Sequence, residues 1–271
     1  MSHEYNQANV DRFLGFQDEY DRNRPKAPLL VTQLLSNYTG GRPSLVVDIG
    51  CGTGLSTFAW QGKADRIIGV EPSSDMIGKA RTKLLDYAGS QITFVQGYSH
   101  QLDLPAGSAD IITCSQSFHW MEPQSTLNEA ARVLREGGIF AAYDCDWPPV
   151  LQWDVEAAYS QLIQKADRLA AELAEPSARA SKRDKEQHLL HIQESGLFRY
   201  CREIVFHNTE PCNAERYIGI LLSQGGLQSA LKLGTQALDE DLQYFRGLVE
   251  QAFQERTLDI LFSYRMRLGI K

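Results

Sequence analysis

The sequence predicts an α/β fold, a doubly wound and mostly parallel sheet, on three observations. Between Ser44 and Cys145 short apolar runs alternate with stretches of helical period, the pattern of successive βαβ units. Several of those runs are apolar enough to be covered on both faces, as strands inside a parallel sheet are. The first run leads straight into closely spaced glycines, which suits a strand-to-helix turn.

The runs place strands at Ser44 to Ile49, Arg66 to Glu71, Gln91 to Gln96, Ala109 to Ser115 and Gly138 to Asp144, with the first, fourth and fifth central. A helix is expected over Leu55 to Gly62 after the glycines. Another runs over Ser73 to Ala88, where Ser73 or Ser74 can cap and Met76, Ile77, Ala80, Leu84 and Tyr87 mark one buried face. Thr126 to Leu134 reads as a helix stopped by Gly137-Gly138. Beyond Trp147-Pro148-Pro149 the character changes. A long helix is expected from Trp153 to Glu175, ended by Pro176, and a charged one from Lys182 to Glu194, packed over the sheet edge, part of a cap, or simply solvated. A sixth strand follows at Phe198 to His207, then helices at Ala214 to Gln224 and Asp239 to Arg256 and a last strand at Leu258 to Arg267.

With 271 residues, 43% of them hydrophobic, the chain can bury a large core. A net charge of −7 lacks the basic face that nucleic acid requires, so no nucleic-acid partner is expected. No apolar run is long enough to span a membrane and the start is polar, so a cytoplasmic address and no membrane partner are expected. Five scattered cysteines with no C-x-x-C pair fit neither a disulfide framework nor a zinc site, and are expected as reduced thiols. His188 and His191 lie three apart on a helix, but without a third ligand they are expected to be exposed, and no metal is expected.

The most informative segment is Val46-Val47-Asp48-Ile49-Gly50-Cys51-Gly52-Thr53-Gly54. Glycines at such a turn permit positive φ and close approach of a ligand to the main chain. A dinucleotide site would ask for G-x-G-x-x-G, but Leu55 stands where the third glycine belongs, and no Walker lysine follows. Asp48 suits a cationic ligand better than a phosphate. Glu71, about twenty residues on at the end of the next strand, is placed to grip ribose hydroxyls.

These residues resemble the class I S-adenosylmethionine-dependent methyltransferases, especially the type 11 group and its trans-aconitate methyltransferase-like branch. Val46 to Gly54 matches the first family motif, and Gly69 to Ile77 resembles the second. Gly97 to Pro105 resembles a third, with His100 in place of the usual acid. Ser115-Gln116-Ser117-Phe118-His119-Trp120 resembles the A-x-x-F-H-W signature of the trans-aconitate-like branch, and Arg132 to Gly138 the motif that shapes the turn into the fifth strand. Tyr20-Asp21-Arg22-Asn23-Arg24-Pro25 resembles an element that closes over the cofactor.

The resemblance implies a Rossmann-like, seven-stranded sheet with an antiparallel last strand and a helical cap or insertion. It implies residues 1–40 as a helical lid, 41–146 as the cofactor-binding core, and 147–271 as helical insertions and the last two strands. S-adenosyl-L-methionine, leaving as S-adenosyl-L-homocysteine, is the implied cofactor. Its implied contacts are Asp48, Gly50, Cys51, Gly52, Gly54, Glu71, Pro72, Met76, Tyr98, Ser99, Ser115 and Gln116, with Ser73 or Met76 near the adenine. Tyr20, Arg24, His119, Trp120 and Trp147 are the candidates for a small-molecule acceptor, with His119 as a possible general base. Trp153 and Tyr143 could line an apolar acceptor pocket, and Arg22, Arg24 or Arg183 could meet a carboxylate. The expected reaction is O-methylation of a carboxylate or hydroxyl. The rivals are an inactive cofactor-binding relative, a nicotinamide-dependent oxidoreductase, and a methyltransferase acting on RNA or protein.

Overall fold

Alternation along the first strand decides how the sheet is buried. In β1 (Leu45–Ile49), Leu45, Val47 and Ile49 join one apolar cluster and Val46 joins the other, so each face of the strand meets its own layer of helices. The structure is a computed structural model and describes residues 7–11, 15, 17–87, 89, 91–175 and 181–271. The other strands are β2 (Arg66–Glu71), β3 (Ile92–Gln96), β4 (Ala109–Ser115), β5 (Leu134–Cys145), β6 (Tyr200–Cys212) and β7 (Leu258–Ile270). They form one sheet in the order β3-β2-β1-β4-β5-β7-β6. The five strands from β3 to β5 run parallel, while β7 pairs antiparallel with both β5 and β6. This is a Rossmann-like, seven-stranded sheet with an antiparallel last strand, as expected from the sequence.

One face is covered by α5 (Pro123–Val133) and α7 (His188–Glu194), through Leu127, Ala130, Val133 and Ile192. The other carries α3 (Leu29–Tyr38), α4 (Ser74–Leu84), α6 (Trp153–Leu173), α8 (Ala214–Leu222), α9 (Gly225–Lys232) and α10 (Asp239–Phe253). Two short helices, α1 (Gln7–Asp11) and α2 (Gln17–Asn23), precede them. Among the described residues no helix is long and apolar enough to cross a membrane.

Several elements differ from the sequence expectation. No α-helix follows the glycine turn; only a 3-10 turn forms at Thr57–Trp60, because the Ser56 and Thr57 hydroxyls both bind Asp48 and draw the chain back to β1. α5 stops at Val133 without the glycines. Leu134 already pairs with Ala109, and Gly137-Gly138 falls where β5 shifts register against β4. The charged stretch after Ser181 opens as a 3-10 turn, Lys185–Gln187, before α7, and His188 is buried rather than exposed. β6 and β7 pair over their full 13-residue lengths, beyond the expected ends. α9 was not expected, since its Gly225-Gly226 start reads as a turn. Ala88 and Pro176 lie outside the described residues.

Candidate active site

The C-terminal ends of all five parallel strands open onto one cavity of about 510 Å³, at the edge where open α/β sheets bind ligands. Gly50 to Thr53 follow β1, Glu71 and Pro72 end β2, Gly97 to His100 follow β3, Ser115 to Ser117 end β4, and Trp147 follows β5. Tyr20 and Arg24 bring α2 and its following turn across the opening.

Glu71 is buried yet faces this cavity. Its Oε1 accepts from Ser73 N and its Oε2 from Gly52 N, each at 2.9 Å, which fixes the carboxylate at the mouth of the turn. Burial pushes its pKa up to about 7, against the pull of those two N–H groups. Gly52 has φ +55 and nothing within 4 Å of where a Cβ would stand. Its backbone is therefore bare toward the cavity, as a main-chain cradle must be. Gly54 differs: a Cβ there would lie 2.8 Å from Phe58 and 2.9 Å from Phe94, so this glycine serves packing and does not line the cavity.

Asp48 does not meet the cavity either. The alternation of β1 turns it to the face opposite Val47, where it is fully buried and accepts Ser56 Oγ at 2.6 Å, Thr57 Oγ1 at 2.7 Å and Thr113 Oγ1 at 2.9 Å. Burial raises its pKa despite those hydroxyls. Its contribution is to hold the turn on the sheet. Its charge and that of Glu71 add to burial in pushing the Cys51 thiol far up, so Cys51 lines the cavity as a neutral group.

Of the remaining expected contacts, Pro72, Met76, Tyr98, Ser99, Ser115 and Gln116 all line the cavity. Ser73 instead caps α4, its Oγ accepting from Met76 N. Tyr20, Arg24, Trp120 and Trp147 line it too, and the Arg24 guanidinium lies over Trp147 at 4.7 Å and over Tyr20 at 5.0 Å. Arg24 NH2 donates to Ser223 O and Gln224 Oε1, while its buried Nε has no hydrogen-bond partner among the described residues. The residues Tyr143 and Tyr264 line the same cavity, and their hydroxyls are buried, that of Tyr143 beside Ser115 and Ser56 and that of Tyr264 beside Cys145. Burial raises both phenols above their ordinary range, so they stay protonated. Trp153 is 83% exposed and Arg22 pairs with Glu19 at the surface, so neither joins the site. Arg183 does, with its Nε donating to Met121 O.

His119 is turned away from the cavity. The face of β5 opposite Tyr143 carries Asp144, and His119 Nδ1 lies 3.4 Å from Asp144 Oδ1, with His188 Nε2 3.5 Å from Oδ2. Burial drives His119 down to about 3 and His188 to about 4, so both rings are neutral. Burial alone would raise Asp144, but the Lys185 ammonium and the His119 contact outweigh it and hold the carboxyl far below its ordinary range. Two imidazoles and a carboxylate so close form a metal-ligand constellation that the spacing of His188 and His191 did not reveal. Lys185 Nζ at 3.1 Å and Arg267 NH1 at 3.9 Å from Asp144, however, already place two fixed cations where a divalent ion would have to sit. Asp144, Lys185 and Tyr264 carried no signal in the sequence, since each acquires its neighbours only through strand pairing and the docking of a distant turn.

Comparison with known proteins agrees with this geometry. Residues 47–142 match the family model of a methyltransferase domain of type 11. A candidate S-adenosylmethionine-dependent methyltransferase of Saccharomyces cerevisiae is 32% identical over 125 residues, 45% of this chain and 43% of that protein. The alignment thus spans under half of the relative's length. A candidate type II methyltransferase from Anaeromyxobacter dehalogenans has the same fold, with a TM-score of 0.67 at 19% identity over 91% of this chain and 97% of that one. The YcgJ protein of Bacillus subtilis superposes with a TM-score of 0.54 at 20% identity, over 89% of this chain and 97% of its own.

Proposed function

We infer that the chain, whose residues 47–142 match the model of a type 11 methyltransferase domain, methylates a carboxylate oxygen of a small molecule at the expense of S-adenosylmethionine. The observation that carries the acceptor half is the Arg24 guanidinium, which lines the cavity against the rings of Tyr20 and Trp147 and whose buried Nε has no hydrogen-bond partner among the described residues. Buried donors left unpaired cost about 1–3 kcal/mol each unless a ligand completes them. A guanidinium held in this way suits an oxygen-rich anion. The likeness of Ser115 to Trp120 to the trans-aconitate-like branch supports the same class.

The donor half fits the residues present. Glu71 is placed to accept from ribose hydroxyls, the bare main chain at Gly52 to admit the ligand closely, and Pro72, Met76 and Ser99 to flank the base. Bound there, S-adenosylmethionine supplies a methyl group already activated by a positively charged sulfur. The chain's own tasks are then to orient the acceptor oxygen and exclude water. Arg24 does the first through its guanidinium, and the aromatic walls of Tyr20 and Trp147 do the second. A carboxylate acceptor needs no proton removed, which agrees with the withdrawal of His119 from the cavity.

Isothermal titration with S-adenosylmethionine and with NAD tests the donor half. S-adenosylmethionine is expected to bind, NAD to give no heat, and Glu71→Ala to weaken binding about tenfold or more. Ionised Glu71 offers both oxygens as charged acceptors whereas the protonated form keeps only its carbonyl oxygen as a good one, so affinity should fall as pH drops below about 7, by up to about tenfold per unit, and Glu71→Gln should flatten that dependence. For the acceptor half, methyl-labelled cofactor and a pool of small carboxylic acids should yield a product that releases labelled methanol in mild alkali. A product stable to alkali would overturn the carboxylate assignment.

A further inference from the structure

Lys185 does not line the cavity, yet it holds a residue that does. Its Nζ donates to Gln116 Oε1 at 3.0 Å and lies 3.1 Å from Asp144 Oδ1. Gln116 is a non-glycine residue at φ 55, where side chains are strained, and its main-chain N donates to Tyr143 O at 3.0 Å. Backbone and side chain of this residue are thus both fixed at the end of β4.

An amide presents an acceptor at one end and two donors at the other, and nothing intrinsic decides which end faces a ligand. An ammonium only donates, so Lys185 claims the oxygen. That leaves Gln116 Nε2, which bonds no protein group among the described residues, on the side of the cavity that Gln116 lines. Lys185 is held by more than Gln116. Arg183 N donates to His119 O at 2.9 Å, and Glu186 pairs with Arg265 at 3.2 Å and Arg267 at 3.3 Å. The turn that carries Lys185 is thereby docked on the turn after β4 and on β7, with the buried charge of Asp144 on β5 beneath it.

We propose that Lys185 is a positioning residue: by fixing the amide oxygen of Gln116 it turns the NH2 into the cavity, so the site takes an acceptor through a lone-pair-bearing oxygen and rejects a protonated amine. The inference rests on the carboxylate reading above and extends it from the presence of donors to the device that selects between oxygen and nitrogen. Glutarate supplies the matching chemistry as a probe, and 1,5-diaminopentane the opposing one.

The test is 15N spectroscopy of the Gln116 side-chain NH2, assigned by its loss in Gln116→Leu, on full-length protein saturated with S-adenosylhomocysteine. Glutarate is expected to shift this resonance pair in the wild type and 1,5-diaminopentane to leave it in place. Lys185→Met should weaken the glutarate response at least tenfold, with Lys185→Arg restoring most of it. Lys185→Met leaves the buried charge of Asp144 without its ammonium, so its thermal transition is expected to fall while that of Lys185→Arg stays within a few degrees of wild type; spectra are therefore taken well below the lower transition, with S-adenosylhomocysteine affinity measured alongside to report the folded site. Glutarate affinity unchanged in Lys185→Met overturns the positioning role, and so does a wild type that responds to neither probe. A response to the diamine alone overturns the oxygen selectivity. Failure of S-adenosylhomocysteine to bind folded wild type would instead remove the methyltransferase reading.

Discussion

Asp48 shows how an identity can be legible while its role is not. Its place before the glycines marks the motif at once, and a charge there invites the expectation of a cationic ligand. The two-residue period of β1 settles the matter differently, burying the carboxylate among Ser56, Thr57 and Thr113. Spacing along the chain names the residue; the direction of its side chain depends on which face of the strand the turn must be tied to. Removing the acceptor strands three buried hydroxyls, so Asp48→Ala is expected to destabilise the fold by about 2–4 kcal/mol in urea unfolding, with Asp48→Asn costing less because its amide oxygen still accepts. An unfolding curve for Asp48→Ala that overlays the wild type, with weakened ligand binding, would return Asp48 to the ligand.

The glycine turn and the turn after Ser181 lie at opposite ends of legibility. The first is announced by residue type, because the φ values it needs belong to glycine. The three glycines nonetheless differ: a Cβ on Gly50 would lie 2.6 Å from Ser117 Cβ, while one on Gly52 would meet nothing. Gly52→Ala is therefore expected to cost the fold only about 1–2 kcal/mol of backbone strain while weakening S-adenosylmethionine binding. Gly50→Ala should lower stability further by displacing Ser117, whose Oγ donates to Ile49 O. Thermal melts with and without ligand separate the two. The second turn, by contrast, is a run of charges that reads equally as solvated surface. Lys185 and Glu186 acquire meaning only when Asp144, Arg265 and Arg267 arrive from strands far along the chain, and no periodicity encodes that meeting.

Across the molecule, the parallel half of the sheet was legible because its strands are apolar, short and separated by helices. The ends of β6 and β7 were not, because β6 lies at the sheet edge and alternates with solvent, and the length of each of the two is set by the other. The burial of His119 and His188 has a global consequence. Both rings stay neutral in the folded chain down to about 3 and about 4, whereas in the unfolded chain they gain protons below about 6.5. Between pH 6.5 and 4 the unfolded state therefore binds more protons at these sites, and stability is lost as pH falls. Glu71 acts oppositely, its raised pKa removing stability as pH rises from about 4.5 to about 7. Urea unfolding at a series of pH values isolates the histidines: His119→Gln and His188→Gln should each take about one proton out of the slope on the acid side, and an unchanged slope would contradict their burial. A different consequence follows from α2, which Asp21 fastens to Thr53 Oγ1 and Lys83 Nζ, each at 2.6 Å, and Asp18 to Lys79 at 2.8 Å. Since Tyr20 of this helix lines the cavity, raised ionic strength is expected to shorten the residence time of a bound ligand without changing its closeness of fit, which release rates measured against salt concentration would register.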